Sequence, residues 1–112
     1  MLNKNILRGK ENFSRIYKKG NSVGGKYVVI FYLQNNLPYN RTAFLASKKV
    51  GNSVSRNRAR RLMKEAFRLR NFELVSGYDL IFIARNTISS KKCDDVKQSL
   101  ENSLSKTGVI KK

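Results

Sequence analysis

Histidine is absent from this chain, and cysteine and proline each occur once, as Cys93 and Pro38. Without histidine there is no imidazole acid–base chemistry, no Ser-His triad and no histidine metal site. A lone cysteine makes neither an intrachain disulfide nor a thiolate zinc cluster; Cys93 reads as a small core residue on a helix. Carboxylates are also scarce: Glu11, Glu65, Glu73, Asp79, Asp94, Asp95 and Glu101 are all there are. Asp94 and Asp95 adjoin each other at the start of a helical segment, where they complement the macrodipole and need no catalytic role. No Walker loop or GxGxxG occurs, and Gly24-Gly25 reads as a turn. No apolar run approaches about 18 residues, so no membrane span is expected. The first eight residues lack an apolar signal core, which predicts a cytoplasmic protein. These absences make a self-sufficient enzyme a poor hypothesis, and no catalytic residue is assigned.

What the chain has is positive charge. Lys and Arg total 24 against 7 Asp and Glu, a net charge of +17 over 112 residues. That imbalance destabilises a compact state unless an anionic partner neutralises it. Hydrophobic residues make up 40% of the sequence, enough for the modest core of one domain spanning 1–112. Residues 1–9 read as a flexible basic arm.

Periodicity then places the elements. Residues 12–19 read as a short helix, with Asn12 as cap, Phe13, Ile16 and Tyr17 on one face and Gly20 at its end. Residues 26–34 are β-branched and aromatic and read as a strand, with Tyr27, Val29 and Phe31 on one face and Val28, Ile30 and Tyr32 on the other. Residues 35–40 form a turn-rich loop, and 41–48 read as the second strand of a hairpin with 26–34. A weak strand signal lies around Asn21 to Val23. A helix runs from about Val54 to about Arg70, with Ala59, Leu62, Met63, Ala66 and Phe67 as its apolar stripe. Tyr78 to Ala84 reads as a central strand, because its uninterrupted Leu80–Ala84 run needs burial on both faces. A last helix covers about 92–106. This is a two-layer α/β arrangement, one small sheet covered by helices.

Charge concentrates in residues 41–70: Arg41, Lys48, Lys49, Arg56, Arg58, Arg60, Arg61, Lys64, Arg68 and Arg70, opposed only by Glu65. Arg60, Lys64 and Arg68 fall at i, i+4 and i+8 beside Arg61. Arg56 and Arg58 sit in the first helical turn, against the positive end of the dipole, at a cost of about 0.3–1 kcal/mol each. A bound phosphate reverses that sign by taking the free N–H groups and the arginine forks together. This arrangement predicts a nucleic-acid site. Asn52 or Asn57 could orient a phosphate or a hydrated metal ion. The aromatic residues Phe13, Tyr17 and Phe31 leave two readings open: plain core, or a stacking platform for unpaired bases with Lys48 and Lys49 following the backbone.

The stretch Ser47-Lys48-Lys49-Val50-Gly51-Asn52-Ser53-Val54-Ser55-Arg56-Asn57-Arg58-Ala59-Arg60-Arg61-Leu62 resembles the signature of the bacterial ribonuclease P protein subunit, including its Arg-Asn-Arg motif. Asn12-Phe13 through Gly20 resembles that family's first helix, and Tyr78 through Arg85 its strand after the basic helix. The resemblance implies an α+β fold of αβββαβα order, with about four strands, three helices and a left-handed βαβ crossover (ribosomal protein S5 domain 2-like). It implies that the protein assists an RNA catalyst in removing the 5′ leader of precursor tRNA, one protein with one RNA, with Mg²⁺ held mainly by RNA and substrate. Arg56, Asn57, Arg58, Arg60, Arg61, Lys64 and Arg68 would face the catalytic RNA. Phe13, Tyr17, Phe31, Ser47, Lys48 and Lys49 would line the leader cleft. No metal ligand on the protein is assigned.

Three other functions compete. A ribosomal or other structural RNA-binding protein has the same composition but not this stretch. A DNA reader would need a mix of base-reading side chains on one face of the 54–70 helix, so no DNA is expected. An independent nuclease lacks its histidines and clustered carboxylates.

Overall fold

In the computed structural model, which describes residues 3–111, the chain runs α1 (Lys10–Lys19), β1 (Asn21–Gly24), β2 (Val28–Gln34), β3 (Arg41–Leu45), α2 (Ser53–Arg68), β4 (Tyr78–Ala84) and α3 (Cys93–Leu104). Single 3₁₀ turns, Lys48–Val50 and Asn86–Ser90, precede α2 and α3. The element order is the expected αβββαβα, and the weak signal near Asn21 is a true strand.

The four strands lie in the order β1-β2-β4-β3. β1 pairs antiparallel with β2, β2 antiparallel with β4, and β3 parallel with β4. This corrects the expected hairpin of 26–34 with 41–48: β2 makes its hairpin with β1, and β4 lies between β2 and β3. β3 also stops at Leu45. The physical reason is in β4 itself. Its Leu80, Ile81, Phe82 and Ala84 are buried, which only a central strand with both faces covered allows.

The connection that steps over β4 is pinned at each end. The Asn35 N–H donates to the Gly77 carbonyl at 2.8 Å, and the Asn40 side-chain oxygen accepts from the Tyr78 N–H at 2.8 Å. Gly77 has φ +98°, and a Cβ there would stand 3.1 Å from the Leu37 carbonyl oxygen, so the crossing needs glycine.

Asp79 locks this crossing. Its carboxylate is fully buried and accepts from Arg41 Nε at 2.8 Å and Nη2 at 2.7 Å, and from Asn35 Nδ2 at 2.9 Å. Arg15 of α1 adds a longer contact at 3.4 Å. The Asp79 hydrogen bond holds the Arg41 guanidinium above its ordinary pKa. β3, β4, the β2–β3 connection and α1 therefore meet on one carboxylate.

Each sheet face has its own core. Val28, Ile30, Leu80, Phe82 and Ala84 face α2 and α3, against Ala59, Met63, Ala66, Val96, Leu100 and Leu104. Phe44 stacks on Phe82 with centroids 4.9 Å apart. On the other face Ile81 and Ala43 pack with Ile16 of α1 and with Leu7, beside Phe13, Phe31, Leu33, Leu45 and Ile83. Alternation in β2 follows the expected faces, except that Tyr27, ahead of the strand, packs with the larger core.

Three local expectations change. Residues 3–9 are no loose arm: Leu7 is buried, its N–H donates to the Thr42 carbonyl, and the Thr42 N–H donates to Asn5. The unpaired edge of β3 recruits them; Met1 and Leu2 lie outside the described residues. Helix α1 begins at Lys10 after Gly9, and the Asn12 amide donates back to the Arg8 carbonyl instead of capping. Gly20 is extended rather than left-handed; a Cβ would fall 2.6 Å from the Ile16 carbonyl oxygen and 2.7 Å from that of Tyr32.

Replacing Asp79 by Asn leaves the Arg41 guanidinium without its counter-charge. Because that guanidinium keeps some solvent contact, urea unfolding should show a loss near about 3 kcal/mol, the low end for a broken buried pair. Arg15→Ala, on an exposed arginine, should cost less than about 1 kcal/mol. Equal losses for the two variants would refute the hub.

Candidate nucleic-acid interface

Helix α2 begins where Gly51 and Asn52 end the 3₁₀ turn. The Asn52 side chain accepts from the Ser55 N–H at 2.9 Å and is the cap. No acidic residue occupies the first turn. The positive end of the dipole therefore faces solvent beside Arg56, whose guanidinium touches Ser53 Oγ at 3.1 Å. Val54 stands 73% exposed in that same turn.

The basic side chains of α2 divide by what they already hold. Arg58 forks onto the Ser89 and Lys91 carbonyls at 2.9 and 2.8 Å, fastening the turn before α3 to α2. Arg60 donates to the Asn57 side chain at 3.2 Å. Arg68 pairs with Glu65, which draws the Glu65 carboxyl below its usual range. Arg61 and Lys64 are exposed and hold no carboxylate. The sequence reading treats these as equivalent; the structure separates Arg58, which works inside the fold, from the open cations. Arg70, beyond the helix, lies 4.3 Å from the Phe67 ring, and burial pushes its pKa down.

The aromatic residues sit on the opposite sheet face. Tyr17 of α1 meets Phe31 of β2 edge-on, with centroids 5.0 Å apart and planes at 87°. Phe13 and Phe31 are half-buried against the smaller core, whereas Tyr17 is 43% exposed, and burial of part of its ring raises its phenol pKa. Helix α1 lies toward the Asp79 end of the sheet. Its cover thins over the next row, Val29, Ile83 and Leu45, which stand side by side across β2, β4 and β3 and are only half-buried. The result is a groove with an apolar floor and an aromatic wall.

Ser47, Lys48 and Lys49 follow directly from Leu45 at the open end of this groove, and all three are exposed. The Ser47 hydroxyl accepts from the Lys49 N–H at 3.3 Å and fixes the turn. Val50, buried, anchors it to the larger core. The same turn leads straight into α2, so the groove end and the basic helix start are joined by a few residues. Arg85 continues the groove face of β4 beyond Ile83 and donates to the Gly25 carbonyl at 3.0 Å. Its place beside the groove follows from the pairing of β4 with β2 and β3, which the sequence did not give.

Among the described residues no three His, Cys, Asp or Glu side chains converge. Burial pushes the Cys93 thiol up, away from the reactive thiolate. Amides, hydroxyls and cations surround the start of α2, and the helix's one carboxylate, Glu65, is paired with Arg68, a set that does not fit a protein-held Mg²⁺. Among the described residues, no helix is long and apolar enough to cross a membrane.

Comparison with known proteins agrees with this geometry. A family model described as ribonuclease P matches residues 1–108. The ribonuclease P protein component of Caldanaerobacter subterraneus subsp. tengcongensis is 42% identical over 101 residues, covering 90% of this chain and 87% of that protein. That of Alkaliphilus oremlandii is 41% identical over 106 residues, covering 95% and 93%. The Staphylococcus aureus RNase P protein structure superposes with a TM-score of 0.84 at 30% identity, covering 97% of this chain and 100% of the other. The Thermotoga maritima protein gives 0.80 at 28%, covering 90% and 96%. With this match over nearly its whole length, the chain belongs to the ribonuclease P protein family.

Proposed function

We propose that, as a ribonuclease P protein subunit, this chain holds two RNA segments at once: the catalytic RNA on the basic face of α2, and the 5′ leader of precursor tRNA in the groove beside α1. The observation that carries this reading is the placement of an acid-free basic helix start and an aromatic groove at one end of the sheet, joined by Ser47, Lys48 and Lys49. Arg56, Arg60, Arg61 and Lys64 supply phosphate contacts, with Arg68 released from Glu65 when a phosphate competes for it. Arg58 acts as a positioning residue through its two carbonyls, and Asn57 orients Arg60. Unpaired leader bases stack on Tyr17 and slide over Phe31, whose neighbour Phe13 holds α1 in place. On this reading the chain works in the cytoplasm, one protein with one RNA, and Mg²⁺ belongs to the RNA and the substrate.

The division of labour has a direct consequence. Purified, RNA-free protein should leave precursor tRNA intact, and adding it to bacterial ribonuclease P RNA should raise cleavage most at low Mg²⁺. Cleavage by the protein alone that survives nuclease treatment would overturn the division.

For the basic face, Arg60→Ala, Arg61→Ala and Lys64→Ala together should weaken binding to ribonuclease P RNA. Each lost phosphate contact should lower the slope of log K against log[salt] by up to about one unit. Thermal unfolding should hold or improve as like-charge repulsion falls. An unchanged slope would reduce this face to solvated surface.

For the groove, Tyr17 is the clean probe because it is exposed. Tyr17→Ala should cost about 1–3 kcal/mol of affinity for precursor tRNA and leave mature tRNA nearly unaffected. Phe13→Ala should lose folding stability as well, though less than the about 3–5 kcal/mol of a fully buried phenylalanine. Equal losses for both RNAs with Tyr17→Ala would refute the leader assignment.

A further inference from the structure

Between the β1–β2 turn and α3 lies a crevice of about 440 Å³, lined by Gly25, Lys26, Ser99, Asn102, Ser103 and Lys106 among others. It is separate from the basic helix face. Its base is built from two buried serines, Ser99 at 8% and Ser103 at 4% exposure. Neither hydroxyl meets a hydrogen-bond partner among the described residues. Helical serines commonly donate back to the preceding turn, as Ser105 does to the Asn102 carbonyl at 2.6 Å. Ser99 and Ser103 instead border the crevice, so their donors and acceptors are open to an occupant.

The turn above them is shaped to the same end. A Cβ on Gly25 would fall 2.6 Å from Ser103 Oγ and 3.2 Å from Ser99 Oγ, so only glycine brings the turn this close to the serines. Lys26 and Lys106 stand exposed at the rim, with the Asn102 and Gln98 amides between. Asp95, the one carboxylate in the lining, is engaged through Oδ2, which accepts from the Lys92 N–H at 3.1 Å. Tyr27 also lines the crevice, with Lys91 Nζ 5.4 Å from its ring centroid. Cations at the rim with hydroxyls and amides within suit a sugar–phosphate backbone. The ribose 2′-OH, donor and acceptor at once, matches the serine hydroxyls.

The crevice also adjoins the groove. Gly24 pairs with Val29, part of the groove floor, and Arg85 at the groove end reaches Gly25 at 3.0 Å. The β1–β2 turn is thus a wall shared by both. We propose that this crevice seats the backbone of leader nucleotides that have passed along the groove and over Arg85. This rests on the leader reading above and extends the RNA path around the sheet edge.

The test is affinity of the assembled ribonucleoprotein for precursor tRNAs with leaders graded from about four to about sixteen nucleotides, a span set by known single-strand site sizes. The wild-type protein should gain affinity with leader length beyond what the groove accommodates. The double variant Lys26→Ala, Lys106→Ala should lose that gain. Its salt slope on the long leader should fall by up to about 1.4, two single-strand contacts at about 0.7 each. Ser99→Ala with Ser103→Ala should also lose the gain while thermal unfolding stays unchanged, since the smaller side chains relieve the turn. A length-dependent gain that persists in both variants overturns the proposal. So does an equal loss with all leaders and with the catalytic RNA alone, which would assign the crevice to the RNA subunit. Failure of the underlying reading looks different: wild-type affinity would then be independent of the leader at every length.

Discussion

One buried carboxylate holds this molecule's working parts in register. Asp79 opens the central strand and receives the Arg41 fork from β3, the Asn35 amide from the crossing loop and the longer reach of Arg15 from α1. Burying an ion is unfavourable unless its lone pairs are satisfied, and here both oxygens are. In a chain of charge +17 a buried anion also draws in two of the cations that would otherwise repel. The β3–α2–β4 unit that presents the basic helix and the α1 placement that forms the groove wall both depend on it.

The basic helix face and the aromatic groove follow from opposite uses of the sheet. The face toward α2 and α3 is closed, with Phe82, Phe44 and Phe67 packed together, and gives the basic helix a rigid bed. The other face is only partly covered, because α1 is ten residues long and cannot span it. What in an ordinary domain would be an incomplete core is here the floor of the groove. The same economy applies to charge: arginines at a helix start are locally unfavourable, and that cost is what a phosphate partner removes.

Membership in the ribonuclease P protein family accords with a chain of net charge +17 that carries its cations on a stiff frame. The frame also decides which cations are available. Arg58 fastens the turn before α3 and Arg41 holds Asp79, so the count of basic residues overstates the number of open cations.

The sequence by itself determined the element order, the helix α2 with its apolar and basic sides, and the stretch from Ser47 to Leu62 that carries the family resemblance. These are local properties: period, composition and capping act within a few residues. It also marked β4 as central, since a run apolar at both parities needs two covered faces. Which strands adjoin it was decided by tertiary structure alone, because pairing energy depends on partners far along the chain, and β2 and β3 looked like a hairpin from their spacing. Long-range contacts likewise bound residues 3–9 to the edge of β3, turned Arg58 inward and left Tyr17 outward. They set Ser99 and Ser103 against Gly25, 74 and 78 residues away in sequence (99 − 25 and 103 − 25), where no local pattern could have joined them.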